Sequence, residues 1–406
     1  MQKFEKHSPV VVTEVTTKHE LRQFMQYPNR LYADNPNYIP SFYGDDLSDW
    51  TPGKNPAFDY CEARCWLARR DGEIVGRIGA ILSHKANDKF GTHRMRFSQV
   101  DFVDDSEVSA ALFGTVERWA REKGCDQVHG PLGFTDMDRE GMLVEGFDRR
   151  SLFFTNYNAP YYLEHLTRLG YRKDVDWIEY RITVPEPGGA EAERLHKLSE
   201  FILKRKHLHV ATVHHKSEYG PFVRQVFELV NAAYAPLYGV VELSDEQIER
   251  YANKFIPLVD PDFVCFVVDE QEKLVAFGVT ALDPSVALKH SDGRLFPFGW
   301  AGVLNDLHHS DTLIMLLTAV RPDLQTEGIN AVMMDHVCQS CNRHGVRFAE
   351  TGPMLELNDH ILAQWKRLKK EQHKRRRCFI KDLDHDVNAA NAAAAQTETP
   401  ETAPAE

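Results

Sequence analysis

The chain has 406 residues, 43% hydrophobic and 27% charged, with a formal net charge of −12. This is the composition of a globular protein, and at ~150 residues per domain the length predicts two domains. The acidic balance argues against attraction to nucleic acid or to an anionic membrane, no run approaches the ~18 apolar residues of a membrane span, and the first residues lack a signal-peptide core. Seven irregularly spaced cysteines fit a reducing cytoplasm better than a disulfide framework. Cys61/Cys65 and Cys338/Cys341 fall on predicted strand and helix positions whose spacing does not converge, so no metal is expected.

In chain order, a strand is expected at Val10–Val15 and a helix at Lys18–Gln26. Residues 28–56 are rich in Pro, Asn, Asp and Tyr and read as loop. Cys65–Arg70 and Glu73–Leu82 are apolar runs joined at Asp71-Gly72, the signature of a hairpin. A strand at Met95–Phe102 leads to a helix from Ser106 to Lys123, with Asp105 or Ser106 as cap and Gly124 as stop. Gln127–His129 is a short strand ending in Gly130-Pro131. A glycine-rich excursion follows, then a helix ending at Gly170 and a strand at Trp177–Val184. PEPGGAEAE at 185–193 has the composition of a boundary.

The second half repeats this order. A strand at Val210–Val213 precedes helices at Gly220–Ala235 and Ser244–Lys254, then a hairpin of Phe263–Val268 and Leu274–Leu282. Leu313–Val320 is a long strand, followed by a helix from Gly328 to Arg343, a strand at Arg347–Glu350 ending in Gly352-Pro353, a helix at Asn358–Leu368 and a last strand at Arg377–Lys381. Three blocks recur in the same order: 72–82 with 272–282, 123–131 with 344–353, and 158–169 with 358–368. Such an ordered recurrence marks two copies of one unit. The reading divides the chain into 1–187, 195–383 and a low-complexity, disordered tail, 384–406.

The most informative stretch is 316–337. An apolar strand breaks at Pro322, a polar loop runs to Glu327, and Gly328 opens a segment of helical period. Free N–H groups and the positive end of a helix dipole make such a loop a seat for an anionic group.

Strand, helices, hairpin, long strand, loop–helix, strand, helix and strand together resemble the GNAT acyltransferase fold, an α/β architecture with a mixed sheet, here in two tandem copies covering about 8–383. The family's (Q/R)-x-x-G-x-(G/A) loop is matched by Gln325, Gly328 and Asn330-Ala331, with Asn330 in place of the usual small residue. More closely, the motifs at 71–78, 130–131, 141–148 and 157–162 resemble a bacterial group of tandem GNAT proteins. The resemblance implies acyl-CoA in a V-shaped opening between the fourth and fifth strands. Pantetheine would pair with Thr318, Ala319 and Val320, and pyrophosphate would sit on the N–H groups of Gln325, Thr326, Glu327, Gly328, Ile329 and Asn330. Asn358 would begin the helix that packs beside the cofactor.

The first copy departs from the motif, since its loop has no glycine and carries Asp104, Asp105 and Glu107, so acyl-CoA is assigned to the second copy only. Glu327 stands where the family often has a basic residue, and Trp365 lies near the position of its tyrosine acid. Glu350 is the candidate general base, acting through a water. The excursion's Tyr157, Asn158, Tyr161 and Tyr162 are candidate substrate groups, and the basic run 366–377 reads as a solvated helical face, a neutraliser of CoA phosphates or a nucleic-acid contact, the last being the sole support for a tRNA donor. The reading is an N-acyltransferase using acetyl-CoA or another acyl-CoA, without metal, on a small-molecule or peptide amine, with no nucleic-acid or membrane partner. An aminoacyl-tRNA or acyl-carrier donor, and a non-catalytic binding protein, stay open as alternatives.

Overall fold

The computed structural model describes residues 8–383. The expected disordered tail lies outside the described residues. The first half contains β1 (Val11–Glu14), α1 (Lys18–Leu31), α2 (Tyr43–Asp49), β2 (Cys61–Arg70), β3 (Glu73–Ser83), α3 (His84–Phe90), β4 (Arg94–Phe102), α4 (Ser106–Glu122), β5 (Gln127–Gly130), β6 (Met142–Glu145), α5 (Tyr162–Arg168) and β7 (Arg172–Thr183). The second contains α6 (Ala190–Lys206), β8 (His209–Val210), α7 (Gly220–Tyr234), α8 (Asp245–Phe255), β9 (Val264–Val268), β10 (Leu274–Leu282), α9 (Ser285–His290), α10 (Gly299–His309), β11 (Thr312–Val320), α11 (Asn330–His344), β12 (Phe348–Glu350), β13 (Met354–Leu355), α12 (Asp359–Ala363) and β14 (Lys370–Asp382).

Among the described residues all fourteen strands join one mixed sheet, whose main path runs β1-β2-β3-β4-β5-β14-β7-β12-β11-β10-β9-β8. The repeat is visible in it: β2 to β5 and β9 to β12 are each three antiparallel neighbours followed by a parallel step. The closing strands are exchanged. β14, from the end of the chain, lies between β5 and β7, and β7 pairs with β12 of the second half.

The basic run is therefore not a solvated helical face. Residues 364–367 form a short 3-10 turn, and from Lys370 onward the run is the central strand β14. Strand alternation sends its charges to opposite faces, and each face meets acids. On one face Lys374 and Arg376, with wholly buried side chains, bind Glu179 at 3.2 and 2.5 Å, and Lys374 also binds Glu350 at 3.2 Å. On the other, Arg377 binds Asp176 at 2.7 Å and Arg375 binds Asp176 and Glu356 at 3.1 and 2.8 Å. Lys374↔Glu179 and Arg377↔Asp176 are direct cross-strand partners, so the charge pattern specifies the register.

Five helices are additional to the sequence reading: α2, inside the stretch 28–56 read as loop, and α3, α6, α9 and α10. α6 covers α11, its Ile202 packing with Ile329 and Val332. α9 and α10 form an insertion between β10 and β11, seated through Leu288 and Val303 on Ile314, Ile39 and Phe153.

Burial alone would raise the Glu179 carboxyl, but Arg376, Lys374 and His373 overcome it and hold it at about 2 against an ordinary 4.5. The folded value lies below the unfolded one, so this stabilisation is complete above about pH 4.5 and is lost as pH falls toward about 2. Glu179→Gln leaves two buried cations short of a carboxylate and is expected to cost about 3–5 kcal/mol in urea unfolding at neutral pH. The variant should also show a shallower stability decline between pH 4.5 and 2 than the wild type. A cost below about 1 kcal/mol, the scale of an exposed pair, would contradict a structural role for this contact.

Candidate active site

β11 and β12 pair only over Thr312–Ile314 and Phe348–Glu350, then part. From Met315 onward the β12 side of β11 has no strand partner among the described residues, which makes the V-shaped opening. The Thr318 carbonyl accepts a hydrogen bond from the Tyr234 hydroxyl at 2.8 Å, and the Thr318 hydroxyl donates to Phe277. Ala319 and Val320 are buried in the sheet.

Past Pro322 the loop residues Gln325 to Gly328 are exposed, whereas Ile329 turns into the core. Gly328 has φ +81°, and a Cβ there would lie 3.2 Å from Ile202. Only glycine holds this conformation without strain, so the residue is needed to start the helix whether or not a phosphate sits on it. No side chain caps α11. The N–H groups of Gly328, Ile329 and Asn330 have no hydrogen-bond partner among the described residues. Glu327 is drawn aside by Lys206 at 2.6 Å.

Between β11, α11 and the turn after α12 lies a pocket of about 720 Å³ of empty space, part of it open to solvent. Its walls are mostly apolar, including Met315, Leu317, Met333, Met334, Val337 and Trp365. Asn330 stands at one wall. Gln364 brings a buried amide nitrogen without a partner. The Trp365 indole N–H is held by the Met354 sulfur at 3.2 Å. Asn358 accepts from the Ile361 N–H, so its side chain caps α12. At the end of β12, Glu350 lies 3.2 Å from Lys374 and 3.8 Å from His373 Nε2. That nitrogen is buried without a hydrogen-bond partner. Burial, then Lys374, pushes the imidazole down to about 4, so it is neutral at neutral pH.

The corresponding place in the first half is closed. β4 and β5 part after Arg96 and His129 in the same way. There, however, the Tyr162 hydroxyl takes the Phe102 N–H at 2.7 Å and Tyr161 donates to its carbonyl. Asp105 caps α4 through the N–H groups of Glu107 and Val108. Arg70 binds Asp105 and Glu107 at 2.5 and 2.7 Å, and His165 binds Asp104 at 2.9 Å.

No family model matches the sequence. Among curated proteins, the chain is 27% identical over 379 residues to Protein YghO of Escherichia coli (strain K12), covering 92% of this chain and 95% of that one. It is 28% identical over 300 residues to the bacterial ceramide synthase of Caulobacter vibrioides, covering 72% and 75%. Among solved structures it is similar to a tandem GNAT protein from the clavulanic acid biosynthesis pathway, with a TM-score of 0.52 at 13% identity, over 92% of this chain and 99% of that one. A GCN5-related N-acetyltransferase from Sphaerobacter thermophilus gives 0.50 at 12% identity, over 92% and 96%. The chain has the tandem GNAT fold.

Within that fold the candidate residues from the sequence fall in separate places. Thr318 to Asn330 and Glu350 lie along the second half's opening. Tyr157 and Asn158 line a different, polar pocket of the first half with Arg77, Asp101 and Arg139. Tyr161 and Tyr162 belong to the first half's core. The excursion does reach the second half, through Phe153 beside Ile314 and Phe154 beside Gly352. Tyr234, His373 and Phe154 were not singled out in the sequence, because an isolated aromatic or histidine carries no local pattern. All seven cysteines are buried and free. His129, Asp174 and Cys378 converge at metal-ligand spacing, but the Tyr238 hydroxyl occupies that point, 2.9 Å from His129 and 2.5 Å from Asp174.

Glu327→Lys replaces the loop carboxylate by a cation at the open helix start. Calorimetry at low salt should show CoA binding tightened about 2–5-fold, the worth of one charge near a helix end. Ser106→Val, at the capped start of α4, should leave binding unchanged. Equal responses to both would contradict the difference between the halves.

Proposed function

We propose that this chain is an N-acyltransferase that moves a long acyl chain from acyl-CoA, bound in the second half, to the amine of a long-chain amino alcohol. The observation that carries the reading is the apolar pocket beside the open edge of β11 and the uncapped start of α11. A long chain laid along these apolar walls removes apolar surface from water, which an acetyl group is too short to do. The relative named bacterial ceramide synthase supports both ends of the proposal, because a ceramide is a long-chain amino alcohol bearing an N-acyl chain. The units 1–187 and 195–383 then divide the labour: the second holds the donor and the first braces it.

In the reaction the free amine attacks the thioester carbonyl, the C–N bond forms, and the C–S bond breaks. The amine's surplus proton passes through a water to Glu350, and the departing thiolate is reprotonated from solvent. Lys374 fixes the Glu350 carboxylate in place, and His373 packs beside it as a neutral imidazole. Trp365 supplies no acid for the thiolate, since its N–H is held by Met354. That feature favours a second reading, an acyl-CoA-binding protein without catalysis. The aminoacyl-tRNA alternative loses its support, because the basic run is paired inside the sheet.

Glu350→Gln should lower kcat by about 10²-fold or more on long-chain acyl-CoA, with little change in Tm because Glu179 still pairs Lys374. An unchanged kcat removes Glu350 from the chemistry. Met334→Trp fills the pocket from its half-exposed wall. It should reduce the use of long-chain acyl-CoA by about tenfold while leaving acetyl-CoA within about twofold. Equal losses on both donors would place the acyl chain elsewhere, and a protein that binds donor but acylates no amine would establish the non-catalytic reading.

A further inference from the structure

The insertion between β10 and β11 has an apolar stripe that is only partly covered. α10 turns Val303 and Leu307 inward, onto the cluster with Ile39, Phe42, Phe153 and Ile314. The same stripe runs on to Trp300 and Leu304, one turn apart at its uncovered edge, 47% and 46% exposed. The loop before it adds Phe296 and Phe298, 80% and 81% exposed, and Val286 of α9 is 50% exposed. These residues occupy one short stretch of chain. They are held from beneath rather than hanging free: the Gly299 position lies against the Arg294 carbonyl and Gly302 against Ala287. A solvent-facing group of two phenylalanines, a tryptophan and a leucine is costly in water and marks a binding surface.

The charge of this face selects its partner. The chain as a whole is at −12. Within 285–309, however, the acids are Asp292 and Asp306, and Asp306 is turned inward onto the Ala287 N–H at 2.8 Å. Lys289 and Arg294 offset these two acids, and His290, His308 and His309 are exposed, so the stretch carries no net negative charge. Exposed aromatic side chains on a stretch without net negative charge are suited to settle into a lipid headgroup layer. The net negative charge, which opposes membrane approach for the molecule as a whole, is carried by other faces.

We infer that Phe296, Phe298, Trp300 and Leu304 form a seat for the surface of a lipid bilayer, which delivers the acceptor to the opening between β11 and β12. The inference rests on the long-chain acceptor proposed above. The insertion is suited to that task by position, since it packs on Ile314 and Leu316, the β11 residues at the point where the two strands part.

The test uses the full chain, the double variant F296S/F298S, and V11S as a control at an exposed apolar residue elsewhere. Flotation is measured with vesicles of phosphatidylcholine alone and of phosphatidylcholine with phosphatidylglycerol. Wild type and V11S should float, and F296S/F298S should bind about tenfold more weakly or worse. The double variant should acylate a water-soluble amine at the wild-type rate and a vesicle-embedded amine more slowly. A wild type that floats with neither vesicle overturns the proposal. So does a patch that proves to join two copies, with the double variant changing a dimer to a monomer and vesicle binding unaltered. If the wild type floats and the double variant does not, yet no amine is acylated, the seat stands and the acyltransfer reading falls.

Discussion

The exchange of closing strands puts charge where a sheet normally carries apolar side chains, and the rest of the architecture depends on how that charge is neutralised. β14 carries its cations into the centre of the sheet, and Glu179, Glu350 and Asp176 answer them there. A buried cation left alone in such a place is not tolerated, so the only admissible register is the one that pairs each with an acid. The ion pairs thereby decide how the two halves meet. They also decide where Glu350 points, since its position at the end of β12 is set by Lys374 of the exchanged strand. The candidate base is thus held by a contact that exists only when the last strand is in place.

The same topology yields one open and one closed cleft because side chains, not strands, differ. Both halves have a parallel pair that parts after a short ladder. In the first, Tyr161 and Tyr162 satisfy the Phe102 backbone, and Asp105 with Arg70 seals the helix start. In the second, one tyrosine, Tyr234, takes one carbonyl, and the helix start has no cap. Polar groups left open beside an apolar pocket are suited to a ligand with an anionic end and a greasy one.

What was legible in the sequence follows the range of the interactions involved. The hairpin at Asp71-Gly72, the cap at Asp105 and the turn at Gly328 are decided within a few residues, and each has the expected local geometry. The repeat was legible because each copy carries the same local patterns in order. β14 was not: a run such as KKEQHKRRR reads as exposed until its acidic partners, almost two hundred residues away at 176 and 179, are known. α6 and α10 were missed for a related reason. α6 lies in a charged stretch with only a narrow apolar stripe, and α10 exposes part of its apolar surface, which blurs the helical period. The pocket is a property of three elements brought together, so its existence had no signature in any one of them.

Amide hydrogen exchange with and without a long-chain acyl-CoA tests the central claim most directly. The account predicts that ligand slows exchange across 315–332, the open edge of β11 and the start of α11, and leaves 102–108 at the first half's closed counterpart unchanged. Protection at 102–108, or none at 315–332 with the ligand bound, would contradict it.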